Sequence, residues 1–244
     1  MAETTDFWKK HNYEKVLTED QSPTLRWLGS ETQETMHHRG GAYSETQLIY
    51  GNPLRESLEL GGRSAVSVGL GLGYNEILVA LEALKRGIGP SDFQLLSFES
   101  DSFLREHFLF WTETSDTDLI YDEIFLFFDS PLKPEVKKWL FDSYKNGSWK
   151  VEGALLPEFS VESQYEVIFY DAFSSKTSPH LWDESFLTRF FSQVCAPASF
   201  VSTYACTGAL KRALKANDFE VVIREGFQSK RNSTLGVRPL LKAP

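Results

Sequence analysis

Three carboxylates stand where the chain predicts strands to end: Glu99 after Phe93 to Phe98, Glu152 within Trp149 to Gly153, and Asp171 after Tyr165 to Tyr170. An ionised carboxylate only accepts hydrogen bonds, so it suits a ligand rich in donors, such as a ribose diol or an amine. Upstream lies the stretch Ser64-Ala-Val-Ser-Val-Gly-Leu-Gly-Leu-Gly-Tyr-Asn-Glu76, with alternate glycines at Gly69, Gly71 and Gly73. A β-rich run, a glycine turn and then a helical pattern is how α/β folds hold a nucleotide-like ligand. The glycines let backbone approach the ligand, and the helix start offers free N–H groups. In open α/β sheets ligands bind beyond the carboxyl ends of the strands. One acid alone would read as a solvated loop residue; three at strand ends, all downstream of a glycine turn, read as a site.

The spacing narrows the ligand. The dinucleotide fingerprint needs a third glycine three residues after the second. Tyr74 stands there, so the pattern is G-x-G-x-G. This turn resembles the loop with which class I methyltransferases hold S-adenosylmethionine, a ligand with no pyrophosphate to cradle. In that reading Glu99, 28 residues after Gly71, accepts both ribose hydroxyls, and Glu152 accepts from the adenine amino group. Asp171 faces the same crevice. A cationic sulfonium also fits an acidic crevice better than a dinucleotide does.

Those acids need a scaffold, and the chain alternates strands and helices from residue 64 onward. After the glycine unit, whose helix carries Ile77, Leu78, Leu81 and Leu84 at helical spacing, come a strand to Phe98 and a helix over 103–111. A helix and loop span 118–130, and a helix spans 134–144, with Val136, Trp139, Leu140 and Tyr144 on one face. The strand at 165–170 is followed by a helix over 183–194, a strand at 199–204 and a helix over 207–217. A strand at 219–223 and a last hairpin strand near 234–237 complete the pattern. Such alternation predicts parallel pairing with right-handed crossovers. The expected fold is α/β, a mostly parallel seven-stranded sheet of Rossmann-like type flanked by helices. Residues 1–60 lack long helical periodicity; Thr24 to Gly29 and Ala42 to Tyr50 read as short strands or turns. They are expected to form a small β-rich N-terminal cap, with residues 61–244 as the ligand-binding domain.

The 244 residues suit one such domain with its decoration, and 41% apolar residues suffice for its core. No run of about 18 apolar residues suggests a membrane span. Cys195 and Cys206 lack metal spacing and suit a reduced, cytoplasmic setting. His37-His38 has no third ligand nearby, so no metal is expected. Net charge is −9, unevenly spread: residues 92–171 carry −11, whereas residues 205–244 carry +5. The total argues against a non-specific nucleic-acid binder, while the basic C-terminal segment permits a local polyanion site.

From Asp171 onward the sequence becomes recognisable. Asp171-Ala-Phe-Ser-Ser-Lys-Thr-Ser-Pro-His-Leu-Trp-Asp183, Thr203-Tyr-Ala-Cys-Thr-Gly208, Lys211-Arg-Ala-Leu214 and Arg224-Glu-Gly-Phe-Gln-Ser-Lys-Arg231 resemble one family. It is the methyltransferase half of the bifunctional enzyme that completes 5-methylaminomethyl-2-thiouridine at the tRNA wobble position, with its stand-alone relatives. Gly69 to Asn75 resembles that family's Gly-x-Gly-x-Gly-x-Asn loop, Ser97-Phe98-Glu99 its Ser-Phe-Glu, and Gly41 to Tyr50 a segment with Glu45 as its acid. The resemblance covers about residues 40–240. It departs where Asp171-Ala-Phe173 replaces Asp-Gly-Phe, where Ser178-Pro179 replaces Asn-Pro, and where Glu152 stands for a frequent Asp.

The resemblance implies an S-adenosylmethionine-dependent N-methyltransferase acting on the 5-aminomethyl group of a wobble uridine, with no flavin and no metal. It implies Glu45, Gly69, Gly71, Gly73, Asn75, Glu99, Glu152 and Asp171 as donor-binding residues, with Asp171 also orienting the amine. A flipped base would stack on Phe173, Tyr204 or Phe227. Lys176, Lys211, Arg212, Lys230 and Arg231 would hold phosphates. The expected partners are tRNA and an enzyme that supplies the aminomethyl precursor, and the expected form is a cytoplasmic monomer without membrane contact. A small amine or other metabolite as acceptor is the second enzyme reading, favoured by the net charge and by Ala172. Nothing specifically matches aminopropyltransferase motifs, and three retained acids argue against a non-catalytic binding module.

Overall fold

A computed structural model describes residues 5–29, 31–115, 119–228 and 232–239. The chain opens with a short helix α1 (Thr5–Lys10) and an antiparallel hairpin, β1 (Tyr13–Leu17) and β2 (Pro23–Trp27), paired from Tyr13 opposite Trp27 to Leu17 opposite Pro23. This hairpin is the expected β-rich cap. Residues 42–50 differ from the expectation. They form helix α2 (Ala42–Thr46) running into a π-helical turn (Gln47–Gly51) and helix α3 (Asn52–Glu59). The buried positions Ala42, Glu45, Thr46, Ile49 and Tyr50 recur at helical spacing. Two of the five are polar, which hides the stripe from hydrophobic periodicity.

The main sheet has seven strands in the order β5-β4-β3-β6-β7-β9-β8. They are β3 (Ser64–Val68), β4 (Gln94–Phe98), β5 (Trp149–Glu152), β6 (Tyr165–Tyr170), β7 (Cys195–Thr203), β8 (Glu220–Glu225) and β9 (Asn232–Arg238). The first five pair in parallel, and β9 inserts antiparallel between β7 and β8. Helices α4 (Tyr74–Lys85), α5 (Ser102–Glu113), α6 (Ile120–Phe127), α7 (Lys133–Asn146), α8 (Glu184–Val194) and α9 (Gly208–Ala216) connect them.

Strand alternation divides the core. Ala65, Leu95, Val167 and Phe169 point to one face and pack with the helices from α4 to α7 and the N-terminal elements. Val66, Leu96, Ile168 and Tyr170 point to the other and pack with α8 and α9. Side chains on a strand point alternately to opposite faces, so each strand feeds both layers. On α7 the buried positions are Val136, Trp139, Leu140 and Ser143. Tyr144, expected among them, is partly exposed and meets Trp149 edge-on. The strand order reverses between β3 and β6, the first two strands out from the point where the chain changes direction. That is where an α/β sheet opens a crevice at its carboxyl edge.

Candidate active site

The crevice at that edge is a cleft of about 830 Å³, counting the space at its mouth that is open to solvent. Its floor is the glycine turn between β3 and α4. Gly69 has φ 94°, and a Cβ there would sit 2.7 Å from the carbonyl oxygen of Asp171. Only glycine lets the end of β3 lie so close to the end of β6. Gly73 has φ 69° and caps α4, where a Cβ would strike the ring of Phe108 at 2.2 Å. With no side chain capping α4, the N–H groups of its first turn are left to other acceptors.

Glu99 follows β4 and reaches back across the turn. Its Oε2 accepts from Gly71 N–H at 2.9 Å and its Oε1 from Asp101 N–H at 2.9 Å. Oε1 also accepts from Ser100 Oγ at 3.4 Å, and Oε2 keeps a second lone pair, so the group is aimed yet still able to accept a donor such as a ribose hydroxyl. Burial pushes the Glu99 carboxyl above its usual pKa, and the two backbone N–H groups pull against that. Asp171 follows β6, where its N–H donates to Val68 O at 3.0 Å. Its Oδ1 accepts from Tyr50 Oη at 2.6 Å and its Oδ2 faces Asn75 Nδ2 at 3.3 Å. Asn75 Oδ1 is buried at the cleft wall without a hydrogen-bond partner.

The cleft brings together Gly69, Gly71, Asn75, Glu99, Asp171 and Phe173 from the expected set. Three others lie elsewhere. Glu152 is exposed at the end of β5 and does not line the cleft. It pairs with Phe98, and its carbonyl accepts Glu99 N–H at 3.1 Å, so the backbone of Glu152, and not its carboxylate, supports the site. Beyond it Leu155 lines the cleft, as does Phe98 at the end of β4, and the two give this part of it an apolar lining. Glu45 is buried behind the wall, where its Oε2 accepts His38 N–H at 2.7 Å. Gly73 shapes the turn from α4's side without facing the cleft.

The stacking candidates separate in the same way. Phe173 lines the cleft and stacks on Trp27 of the cap, centroids 5.9 Å apart. Tyr204 donates to Ala172 O at 2.7 Å and packs edge-on to Trp182. Phe227 is buried edge-on against His38, so it is a packing residue in this structure. Among the cations, Lys176 is exposed and Lys211 is half-buried, while Arg212 is paired with Glu184 at 2.7 Å. Lys230 and Arg231 lie outside the described residues.

Sequence reasoning missed Met36, His37 and Tyr50. The first two enter the cleft from the cap, and His37 Nδ1 sits 2.9 Å from Thr24 Oγ1. Their signal was absent because the cap folds over the cleft through tertiary contacts with no motif of its own. Among the described residues no group of three His, Cys, Asp or Glu could hold a metal ion, and no helix is long and apolar enough to cross a membrane.

Strand order, glycine turn and strand-end acids define a class I S-adenosylmethionine-dependent methyltransferase fold. Residues 153–239 match the family model described as S-adenosyl-L-methionine-dependent methyltransferase, which accords with that fold. The resemblance noted in the sequence holds in the comparisons. The chain is 32% identical over 104 residues to the tRNA 5-methylaminomethyl-2-thiouridine biosynthesis bifunctional protein MnmC of Hahella chejuensis, covering 42% of this chain and 13% of that one. It is 25% identical over 235 residues to an uncharacterized protein of Methanocaldococcus jannaschii, covering 94% of this chain and 61% of that one. The crystal structure of MnmC2 from Aquifex aeolicus superposes with a TM-score of 0.67 at 21% identity, over 95% of this chain and 71% of that one. The matched stretches thus span less than two thirds of both sequence relatives.

The cleft fits the donor on its own geometry. The glycine turn leaves room at Gly71, where a Cβ would meet only Met36 Sδ, at 3.4 Å. Glu99 supplies an aimed acceptor for a ribose hydroxyl, Leu155 and Phe98 supply an apolar lining, and Asn75 Oδ1 has no protein partner.

Proposed function

We propose that this chain methylates a primary amine, and that the amine is the 5-aminomethyl group of a wobble uridine in tRNA. The observation that carries the reading is Asp171. It sits at the cleft floor, at the carboxyl end of the strand beside the glycine turn, with its carboxylate oriented by Tyr50 and Asn75. When bound, S-adenosylmethionine supplies an electrophilic methyl group. Glu99 and the turn at Gly69 to Asn75 would fix its adenosine part. Asp171 would receive an N–H of the acceptor, align the amine and balance the positive charge that develops on nitrogen. Positioning of this kind provides most of the rate effect when the leaving group is already good. Phe173, held against Trp27, would stack a flipped base. Lys176 and Lys211 would meet phosphates, and an enzyme making the aminomethyl precursor would act upstream.

Two observations favour a small-molecule amine as the second reading. Arg212 is neutralised by Glu184, and Phe227 is buried, so both leave the set available to RNA. The deciding experiment measures methyl transfer from labelled S-adenosylmethionine to total tRNA lacking the terminal methylation, against a panel of small primary amines. Label in tRNA that disappears in Asp171→Ala supports the proposal. Label in an amine and none in tRNA replaces it with the second reading.

A further inference from the structure

We infer that Tyr50 is a positioning residue for Asp171, held in place by a π-helical turn that Ser202 and Arg224 clamp from the strands beside it. The inference rests on the proposed role of Asp171 and adds the device that aims it.

Tyr50 is 2% exposed and lies in the turn Gln47–Gly51. π-helical turns are rare and recur at functional sites, because the extra residue per turn re-aims a side chain. Here the side chain is aimed across the domain. The hydroxyl donates to Asp171 Oδ1 at 2.6 Å, 121 residues away, and the ring meets Phe169 edge-on at 5.6 Å. A buried phenol beside a carboxylate keeps its proton. Burial first, and the Asp171 charge second, push its pKa well above the ordinary value of 10. The hydroxyl is therefore a standing donor that engages one oxygen of Asp171 and fixes the plane of the carboxylate.

The turn itself is braced. Ile49 O accepts from Ser202 Oγ at 2.5 Å and from Arg224 Nη1 at 3.3 Å, and Arg224 Nη2 donates to Ser202 Oγ at 2.9 Å. Arg224 has no carboxylate within ion-pair reach among the described residues, and its Nε is buried without a partner. A buried guanidinium is costly unless its hydrogen bonds do something for the fold. Its bonds to Ile49 O, Ser202 Oγ and Thr234 O tie β7, β8 and β9 to the turn that carries Tyr50. Deleting the phenol oxygen alone should leave the core packed and let the Asp171 carboxylate rotate.

The test compares wild type, Tyr50→Phe, Ser202→Ala and Asp171→Asn by calorimetry with two ligands. S-adenosylhomocysteine is neutral at sulfur. Sinefungin carries an ammonium group where the methylsulfonium would stand, so its preference over S-adenosylhomocysteine reads the aimed carboxylate without any acceptor. Tyr50→Phe is expected to lower that preference at least fivefold while S-adenosylhomocysteine binds within about twofold of wild type. Ser202→Ala should shift it in the same direction by less. In methylation of hypomodified tRNA, kcat should fall at least tenfold with KM for S-adenosylmethionine nearly unchanged. A preference unchanged in Tyr50→Phe and Ser202→Ala but lost in Asp171→Asn overturns the inference. Absence of tRNA methylation by wild type overturns the acceptor assignment instead, and leaves the ligand preference to decide on Tyr50. Should Tyr50→Phe fail to fold, the Ser202→Ala measurement decides.

Discussion

Glu34 of the N-terminal cap holds Ser174, 140 residues further on, by both its backbone N–H at 3.0 Å and its hydroxyl at 2.9 Å. The same carboxylate accepts from Thr177 Oγ1 at 2.7 Å. With the Trp27–Phe173 stack beside it, this contact fastens the cap onto the loop that leaves the carboxyl end of β6. Glu34→Ala removes three bonds to a charged acceptor. Each is worth about 1.5–3 kcal/mol when fully buried and less at this half-buried position. The expected result is a loss of about 1–3 kcal/mol, read as a melting point lower by several degrees, with faster amide exchange over 173–178. Unchanged exchange there would show that the cap closes without this latch.

Glu99 and Gly69 give the donor-site prediction. Glu99→Gln keeps the shape but sets an amide N–H₂ against a backbone N–H, of Gly71 or of Asp101. S-adenosylhomocysteine affinity should fall about 10–100-fold, the equivalent of one or two hydrogen bonds to a charged group. Gly69→Ala places a methyl into the Asp171 carbonyl at φ 94° and should weaken binding at least as much. Because burial raises the Glu99 pKa, its ionised form is lost at a higher pH than for an ordinary glutamate. Wild-type affinity should therefore weaken on acidification before the usual carboxylate range is reached, and Glu99→Gln should show no such limb. Calorimetric titration from pH 8 downward checks both.

The basic segment separates by pairing. Lys211 has no ion-pair partner among the described residues, whereas Arg212 is held by Glu184. If tRNA is bound, Lys211→Ala should reduce the slope of log affinity against log salt by about 1. Arg212→Ala should change it less, since that cation's charge is already balanced. Filter binding over a salt series distinguishes the two; equal effects would mean that RNA displaces Glu184.

The sheet was legible because its strands are short apolar runs ending in acids, and because the glycine turn marks the first crossover. The position of Glu99 and Asp171 at the cleft was legible for the same reason: a residue just past a parallel strand must emerge at the carboxyl edge. Glu152 obeyed the rule only in its backbone. Its strand lies at the sheet's edge, where the side chain turns to solvent and Leu155 takes the wall. Tyr50 was illegible, since helix α2, which leads into its turn, buries Glu45 and Thr46 in the stripe where apolar residues would announce a helix. Met36 and His37 reach the cleft through a fold-over of the cap that no local pattern encodes.

Glu76, in the first turn of α4, is fully buried beneath the glycine turn, and its Oε1 accepts from Ser97 Oγ at 2.8 Å. Oε2 and Ser67 Oγ are both buried and make no well-formed hydrogen bond, although the Ser67 hydroxyl is near enough to pull the Glu76 pKa down against its burial. Burial is the largest influence and raises the Glu76 pKa from 4.5 to about 7. Between those two values the folded state holds a proton that the unfolded chain releases, so stability must decline as pH rises through that window. The cost of ionising the group approaches about 3 kcal/mol once the pH exceeds 7. Glu76→Gln keeps the acceptor for Ser97 and removes the charge, with its amide facing Ser67 Oγ. The variant should melt within a degree or so of wild type near pH 5 and several degrees above it at pH 8, since about 1 kcal/mol moves a chain of this size by about 2–4 °C. Thermal melts at the two pH values test this. A variant less stable than wild type at pH 8 would mean that the ionised carboxylate is the form the fold requires, and that Ser97 and Ser67 solvate it better than its burial implies.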